Sequence, residues 1–127
     1  DLEQVLATNL IGPFRLIKAL LPTMLLHQQG TVVNISSDAA VSAYPHWGAY
    51  GVSKAALDHL SRIFAEELRD HEIQFWAIDP GDMRTPMHFA AVPDADPEAL
   101  KDPALAATQL LQFLSQATPD DSTRQVL

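Results

Sequence analysis

The sequence predicts an α/β fold on a parallel sheet. Segments with helical spacing alternate with short β-branched runs, in the order helix, strand, helix, strand, helix. Right-handed crossovers between parallel strands produce that order. The strand-like runs are apolar on both faces, as strands buried between two helical layers are. Two such β–α units cannot complete a sheet, because central strands need neighbours on both sides and helices on both faces. The chain therefore reads as the later part of a larger domain.

Each element carries its own signal. "DLEQVLATNLIGPFRLIKALLPTMLLHQQG" sets Leu2, Val5, Leu6, Leu10, Phe14, Ile17, Leu20, Leu21, Met24 and Leu25 at helical spacing, and Gly30 is the stop. "TVVNIS" is the first strand, and "SDAAVSAYPHWG" is a loop. A second helix runs from about His46 to Asp70, with Arg69 and His71 near its negative end. "IQFWAIDPG" is the second strand, closed by Pro80 and Gly81. "DMRTPMHFAAVPDADPEALKDP" is rich in Pro and Asp and reads as a long mobile loop. "PALAATQLLQFLSQ" is the last helix, and "TRQVL" starts a further strand.

Size and composition bound the function. At 127 residues the chain is one small domain, able to bury about two thirds of its unfolded surface. A formal net charge of −8 removes the basic footprint of a nucleic-acid binder and makes an anionic membrane an unfavourable partner. The absence of cysteine excludes disulfides and thiolate metal sites and fits a cytoplasmic location. His27, His46, His59, His71 and His88 are scattered, with no metal-ligand spacing, so no metal is expected. The longest apolar runs, such as "ALLPTMLL", are too short to span a bilayer. The chain opens on "DLEQVL", already in helical pattern, which is expected of a fragment.

Chemistry concentrates in "AYGVSK". Tyr50 and Lys54 are four residues apart on the second helix, which puts both on nearly one face, about 6 Å apart along the axis. A free tyrosine, with a pKa near 10, is a poor base at neutral pH. A lysine ammonium beside it favours the phenolate, and such a tyrosine can exchange a proton with a carbonyl or an alcohol. By itself the pair is a weak signal, equally read as a packed ring beside a solvated charge. "NISS" adds Ser36 and Ser37 at the carboxyl end of a buried strand, where ligands bind in open α/β sheets. A hydroxyl there can bond a substrate oxygen while Tyr50 moves the proton; taken alone it is more often a turn cap.

Four segments together, "NLIGPF", "GTVVNISS", "AYGVSK" and "DPGDMRT", in this order and at these separations, resemble the C-terminal half of the short-chain dehydrogenase/reductase family. The resemblance covers nearly the whole chain. It implies a Rossmann-like doubly wound parallel sheet, of which residues 1–127 are the catalytic half without the N-terminal cofactor-binding half. It implies that Tyr50 is the acid/base, that Lys54 lowers the tyrosine pKa and holds the nicotinamide ribose, and that Ser37 orients the substrate oxygen. Asn9 matches the asparagine that supports a proton-relay water. Its own surroundings agree, because Pro13 removes the N–H that the Asn9 carbonyl would normally accept, and the helix should bend there. Pro80, Gly81, Met83 and Thr85 match the segment that contacts the nicotinamide carboxamide. Asp82 departs from the family, where an apolar or aromatic residue is usual. Residues 86–103 correspond to a substrate-covering lid, with His88 and Phe89 as candidate contacts, and Trp47 lines the substrate pocket.

The expected activity is hydride transfer between NAD or NADP and a small-molecule carbonyl/alcohol substrate. The family's Gly-rich cofactor loop, its N-N-A-G segment and the residue that selects NAD or NADP are absent, so the 127-residue chain alone is expected to be inactive. The alternative is a noncatalytic relative that serves only helix-mediated association. Both long helices carry wide apolar bands, with Leu57, Leu60, Phe64 and Leu68 as one stripe and Ala56, Ile63 and Ala65 widening it. The family resemblance implies a homodimer or homotetramer through these helices, with neither nucleic acid nor membrane as partner.

Overall fold

The computed structural model describes all residues, 1–127. Its first helical stretch is continuous from Leu2 to His27 and is made of three pieces: α1 (Leu2–Leu6), one π-helical turn (Ala7–Ile11) and α2 (Gly12–His27). The disturbance expected upstream of Pro13 takes the form of the π turn, in which the Gly12 N–H reaches back to the Ala7 carbonyl. By length and composition this helix is long and apolar enough to cross a membrane. The expectation drawn from single apolar runs was too narrow, because a helix averages over the polar residues between them. Here one side of the helix lies on the sheet through Ile17.

Strand β1 (Gly30–Ile35) leads through a single 3₁₀ turn (Asp38–Ala40) to helix α3 (Gly48–Glu67), shorter at both ends than the apolar pattern suggested. Strand β2 (Ile73–Asp79) follows. The Pro- and Asp-rich stretch after it holds a short helix, α4 (Pro86–Ala91), and a second 3₁₀ turn (Pro97–Ala99), so it is more ordered than the loop expected from composition. Each starts with proline behind a side-chain cap, Thr85 and Asp96, which is why these segments fold locally. Helix α5 (Pro103–Gln116) and strand β3 (Arg124–Val126) complete the chain.

The three strands are all parallel, in the order β1–β2–β3. Along β2 the side chains alternate between two layers. Ile73 and Phe75 join Ile17 of α2 and Phe64 of α3 in the core, with Phe75 stacked on Phe64 at 5.2 Å between ring centroids. Trp76 points the other way and meets Phe113 of α5 edge-on at 5.1 Å. Helices α2 and α3 therefore cover one face of the sheet and α5 the other. Both crossovers, β1–α3–β2 and β2–α5–β3, step in the same direction across parallel strands yet pass over opposite faces. They have opposite hands, and the expectation that both are right-handed fails for one of them. The long connection from Pro80 to Asp102 gives the chain the reach to cross the sheet edge before α5 begins.

Strand β1 is an edge strand of this sheet, and its second face is only partly covered, with Ile35 exposed. The two-sided apolar pattern of "TVVNIS" is thus satisfied on one side here: Val32 packs into the core and Asn34 donates to Ser61 Oγ at 2.9 Å.

Candidate active site

The loops after β1 and β2 open at the same end of the sheet, where parallel strands present their carboxyl termini. Ser37 ends the first strand and caps the 3₁₀ turn. Its Oγ accepts from the Ala39 N–H at 3.1 Å and donates to Asp38 Oδ1 at 3.0 Å. The Tyr44 hydroxyl donates to the other oxygen of Asp38. This Tyr44 bond holds the Asp38 carboxyl below its usual value; partial burial opposes it, and the bonds from Ser37 and Ala39 add to it. The same carboxylate pushes the Tyr44 phenol up.

Tyr50 lies in the first turn of α3, and its ring meets Trp47 edge-on at 5.7 Å; Trp47 in turn lies 5.7 Å from Tyr44. Gly51 makes this approach possible. A Cβ there would stand 3.0 Å from the Ala39 carbonyl oxygen, so glycine lets the start of α3 lie directly against the turn that carries Ser37, and a side chain would push the two apart by a few tenths of an ångström.

One helical turn further, Lys54 Nζ donates to the Ile35 carbonyl at 2.8 Å and lies 5.7 Å from the centre of the Tyr50 ring. Burial lowers the Lys54 pKa, and Asp58, the next residue along the same face, partly offsets this. Asn9 reaches α3 from the π turn: its Nδ2 donates to Ser53 Oγ at 3.1 Å, and Ser53 Oγ donates to the Tyr50 carbonyl at 2.7 Å. Asn9, Ile35 and Lys54 line one groove between α2 and β1.

The structure thus gathers Asn9, Ser37, Trp47, Tyr50 and Lys54 around the start of α3. Pro80, Gly81, Met83 and Thr85 lie on the connection after β2. Gly81 has a φ of 77°, and its N–H is held by Asp79 Oδ1 at 3.0 Å. The Pro80 carbonyl accepts from Lys101 Nζ at 2.9 Å, and Met83 bridges to Lys101 through the backbone. The Thr85 hydroxyl accepts from the His88 N–H at 3.2 Å as the cap of α4, which leaves its proton free. His88 faces Asp82 at 3.7 Å, and Phe89 lies beside it.

Sequence reasoning missed the polar residues behind these groups. Arg124 joins both strand ends: it donates to Asp58 Oδ2 at 2.9 Å, to Asp79 Oδ2 at 3.1 Å and to the Ser37 carbonyl at 3.3 Å. Asp58 was legible as the residue one turn beyond Lys54. Arg124 was not, since it comes from a strand sixty-six positions away in sequence. Asp38 and Tyr44 lay in a segment read only as a loop.

A family model described as short chain dehydrogenase matches residues 1–96. The oxidoreductase YciK of Escherichia coli K12 is 35% identical over 123 residues, 97% of this chain and 47% of that protein. The 3-oxoacyl-[acyl-carrier-protein] reductase FabG of Thermotoga maritima is 30% identical over 113 residues, 89% of this chain and 44% of that protein. Among solved structures, a short chain dehydrogenase of Salmonella enterica serovar Typhi superposes with a TM-score of 0.82 at 34% identity, over 98% of this chain and 50% of that one. A short chain dehydrogenase of Escherichia coli CFT073, solved with NADPH, superposes with a TM-score of 0.85 at 30% identity, over 99% and 52%. The chain spans about half the length of the relatives it matches. Its three parallel strands and their helices form part of a Rossmann-like sheet, and by the family model and these likenesses the chain belongs to the short-chain dehydrogenase family.

Proposed function

We propose that residues 1–127 are the C-terminal, catalytic half of an NAD(P)-dependent oxidoreductase acting on a carbonyl/alcohol pair. The observation that carries this reading is the placement of Lys54. A half-buried ammonium, fixed by the Ile35 carbonyl at 2.8 Å, stands 5.7 Å from the Tyr50 ring at the carboxyl end of the sheet. Such a charge stabilises the negative charge that grows on the Tyr50 oxygen as its proton leaves. Tyr50 is then the acid/base, Ser37 binds the reacting oxygen, and Trp47 closes the pocket beside them. Asn9 acts through Ser53 on the first turn of α3.

The residues present fit a nicotinamide cofactor, NAD or NADP. Ser36 Oγ is buried without a partner at the end of β1, so the strand end has polar capacity to spare. Lys54, Tyr50 and the stretch Pro80, Gly81, Met83 and Thr85 would hold the cofactor, and the NADPH bound by a relative of the same fold supports that assignment. The cofactor supplies or accepts the hydride; this chain holds it and moves the proton. Association of whole molecules belongs to the same reading. Val52 and Ile63 of α3 and Leu2 and Ile11 of the first helix are exposed apolar residues on the two long helices, the surface a homodimer or homotetramer would cover.

The test is Tyr50→Phe in the full-length enzyme, which removes the transferable proton and keeps the ring. Turnover should fall by about 100-fold or more, with cofactor affinity nearly unchanged. Near-normal turnover would overturn the role given to Tyr50.

A further inference from the structure

The backbone ladder between β1 and β2 stops just where the two loops of the proposed site begin. Its last bond from β1 runs from the Ser36 N–H to the Ile78 carbonyl at 2.6 Å. Continuing the parallel register sets Ser36 opposite Asp79, so the next bond would come from the N–H of residue 80. Residue 80 is a proline and has none. A side chain takes over the join. Arg124, on β3, donates through Nη2 to the Ser37 carbonyl at 3.3 Å and to Asp79 Oδ2 at 3.1 Å, and through Nε to Asp58 Oδ2 at 2.9 Å. Asp79 extends the connection, because its Oδ1 accepts from the Gly81 N–H at 3.0 Å. We propose that Arg124 is a positioning residue of the site: it fixes the turn that carries Ser37 relative to the turn that carries Gly81, and so the substrate side relative to the cofactor side.

The inference rests on the roles given above to Ser37 and to the stretch after β2. A guanidinium is planar, and both Nη2 protons lie in its plane, so the Ser37 carbonyl and Asp79 are held at a set angle as well as a set distance. The Asp58 carboxylate, carried by α3, keeps that plane from turning. The Arg124 side chain is mostly buried and both carboxylates almost fully so, which strengthens the bonds and keeps water from competing for them. The other bonds of Ser37, with Asp38, Ala39 and Ala40, stay within its own turn. Arg124 is what ties that turn to the segment after β2. The tie bears on rate because hydride transfer depends on the separation of the two reacting carbons, and a misplacement of about 1 Å can cost about 100-fold.

Arg124→Lys keeps a positive charge between the carboxylates and removes the planar fork. Two readouts on the full-length protein test the role. The first needs neither substrate nor cofactor: amide hydrogen exchange at Gly81 should run about tenfold faster in the variant, while amides in the middle of β2 keep their wild-type rates. A general loss of stability would speed both. The second is reduction of a panel of small ketones and aldehydes, followed by the loss of NAD(P)H absorbance, with sites counted by cofactor titration. Turnover per site should fall about tenfold or more. In Arg124→Ala, guanidinium ion at millimolar concentration should restore it and methylammonium should not. Asp79→Asn keeps one oxygen to serve both Arg124 and Gly81, and it takes one charge from a cluster of two carboxylates and one guanidinium, so it should fold. It should show the same loss, and combining it with Arg124→Lys should cost little more. Wild-type turnover per site in Arg124→Lys, or exchange that rises equally at Gly81 and along β2, would overturn the role of Arg124 and leave Tyr50 untouched. Normal turnover in Tyr50→Phe, with Gly81 exchange still dependent on Arg124, would overturn the acid/base reading instead.

Discussion

At the scale of single residues, the Asp38–Tyr44 contact has a pH window set by its two partners. The Asp38 carboxyl is lowered from 3.8 in the folded chain, so its contribution to stability is present above 3.8 and is lost as pH falls through the folded value. The Tyr44 phenol is raised from 10.0, so its contribution is present below 10.0 and is lost as pH rises through the folded value. Asp38→Asn should therefore destabilise the protein by a constant amount between these limits, and the difference from wild type should vanish in acid. Thermal melts across pH measure this. In the same variant, ultraviolet titration should show Tyr44 ionising at lower pH than in wild type. Lys54 touches both halves of the proposed chemistry, so Lys54→Ala should lose both cofactor affinity and rate; loss of rate alone would confine Lys54 to the proton step. Local spacing made the positions of three candidate residues legible in the sequence, and the family resemblance supplied the roles proposed for them. Tyr50 and Lys54 share a helix face, and Ser37 follows a strand. Asp38 and Tyr44 escaped because their bond forms within a loop whose shape no period announces.

At the scale of elements, two contacts hold the site to the sheet. Gly51 lets α3 meet the Ser37 turn, with a Cβ position 3.0 Å from the Ala39 carbonyl. That neighbour is backbone, so Gly51→Val must move the helix or the turn. It should cost about 1–3 kcal/mol in denaturant unfolding, and it should lower activity by more than the loss of folded protein explains. Arg124 stands between Asp58 and Asp79, both almost fully buried. Arg124→Met leaves two uncompensated carboxylates in the interior, and unfolding should show a loss of about 3–5 kcal/mol. A loss below 1 kcal/mol, on the order of a surface pair, would mean that water reaches these carboxylates. Helices and strands were readable because apolar period fixes them. The hand of the second crossover was not, because it depends on the face that the apolar side of α5 finds, and the long connection after Pro80 permits either. The apolar run of β1 describes a strand covered on both sides, and residues 1–127 cover one of them.

At the scale of the whole molecule, two consequences follow from what the chain contains. Phe64 is buried in the core at 5% exposure, so replacing it, as the apolar stripe alone would suggest for testing association, would damage the fold. Ile63, at 42%, and Val52, at 56%, are the large apolar residues that face outward from α3. Ile63→Glu should shift the full-length protein toward monomer in sedimentation at micromolar concentration without changing its melting profile at high dilution; an unchanged assembly would place the interface elsewhere. The 127-residue chain, without a Gly-rich loop to cradle the pyrophosphate at a helix N-terminus, should show no saturable NAD(P)H binding in a fluorescence titration. Micromolar binding by the chain alone would mean that the cofactor sits elsewhere. The most direct test of the central claim follows the hydride and the proton together. The full-length enzyme is given NAD(P)H carrying two deuterium atoms at the reactive carbon and a panel of small ketones and aldehydes. The account predicts deuterium on the carbinol carbon of the product, formed about 100-fold more slowly or worse in Tyr50→Phe; alcohol formed without the label, or at equal rates in both proteins, would contradict it.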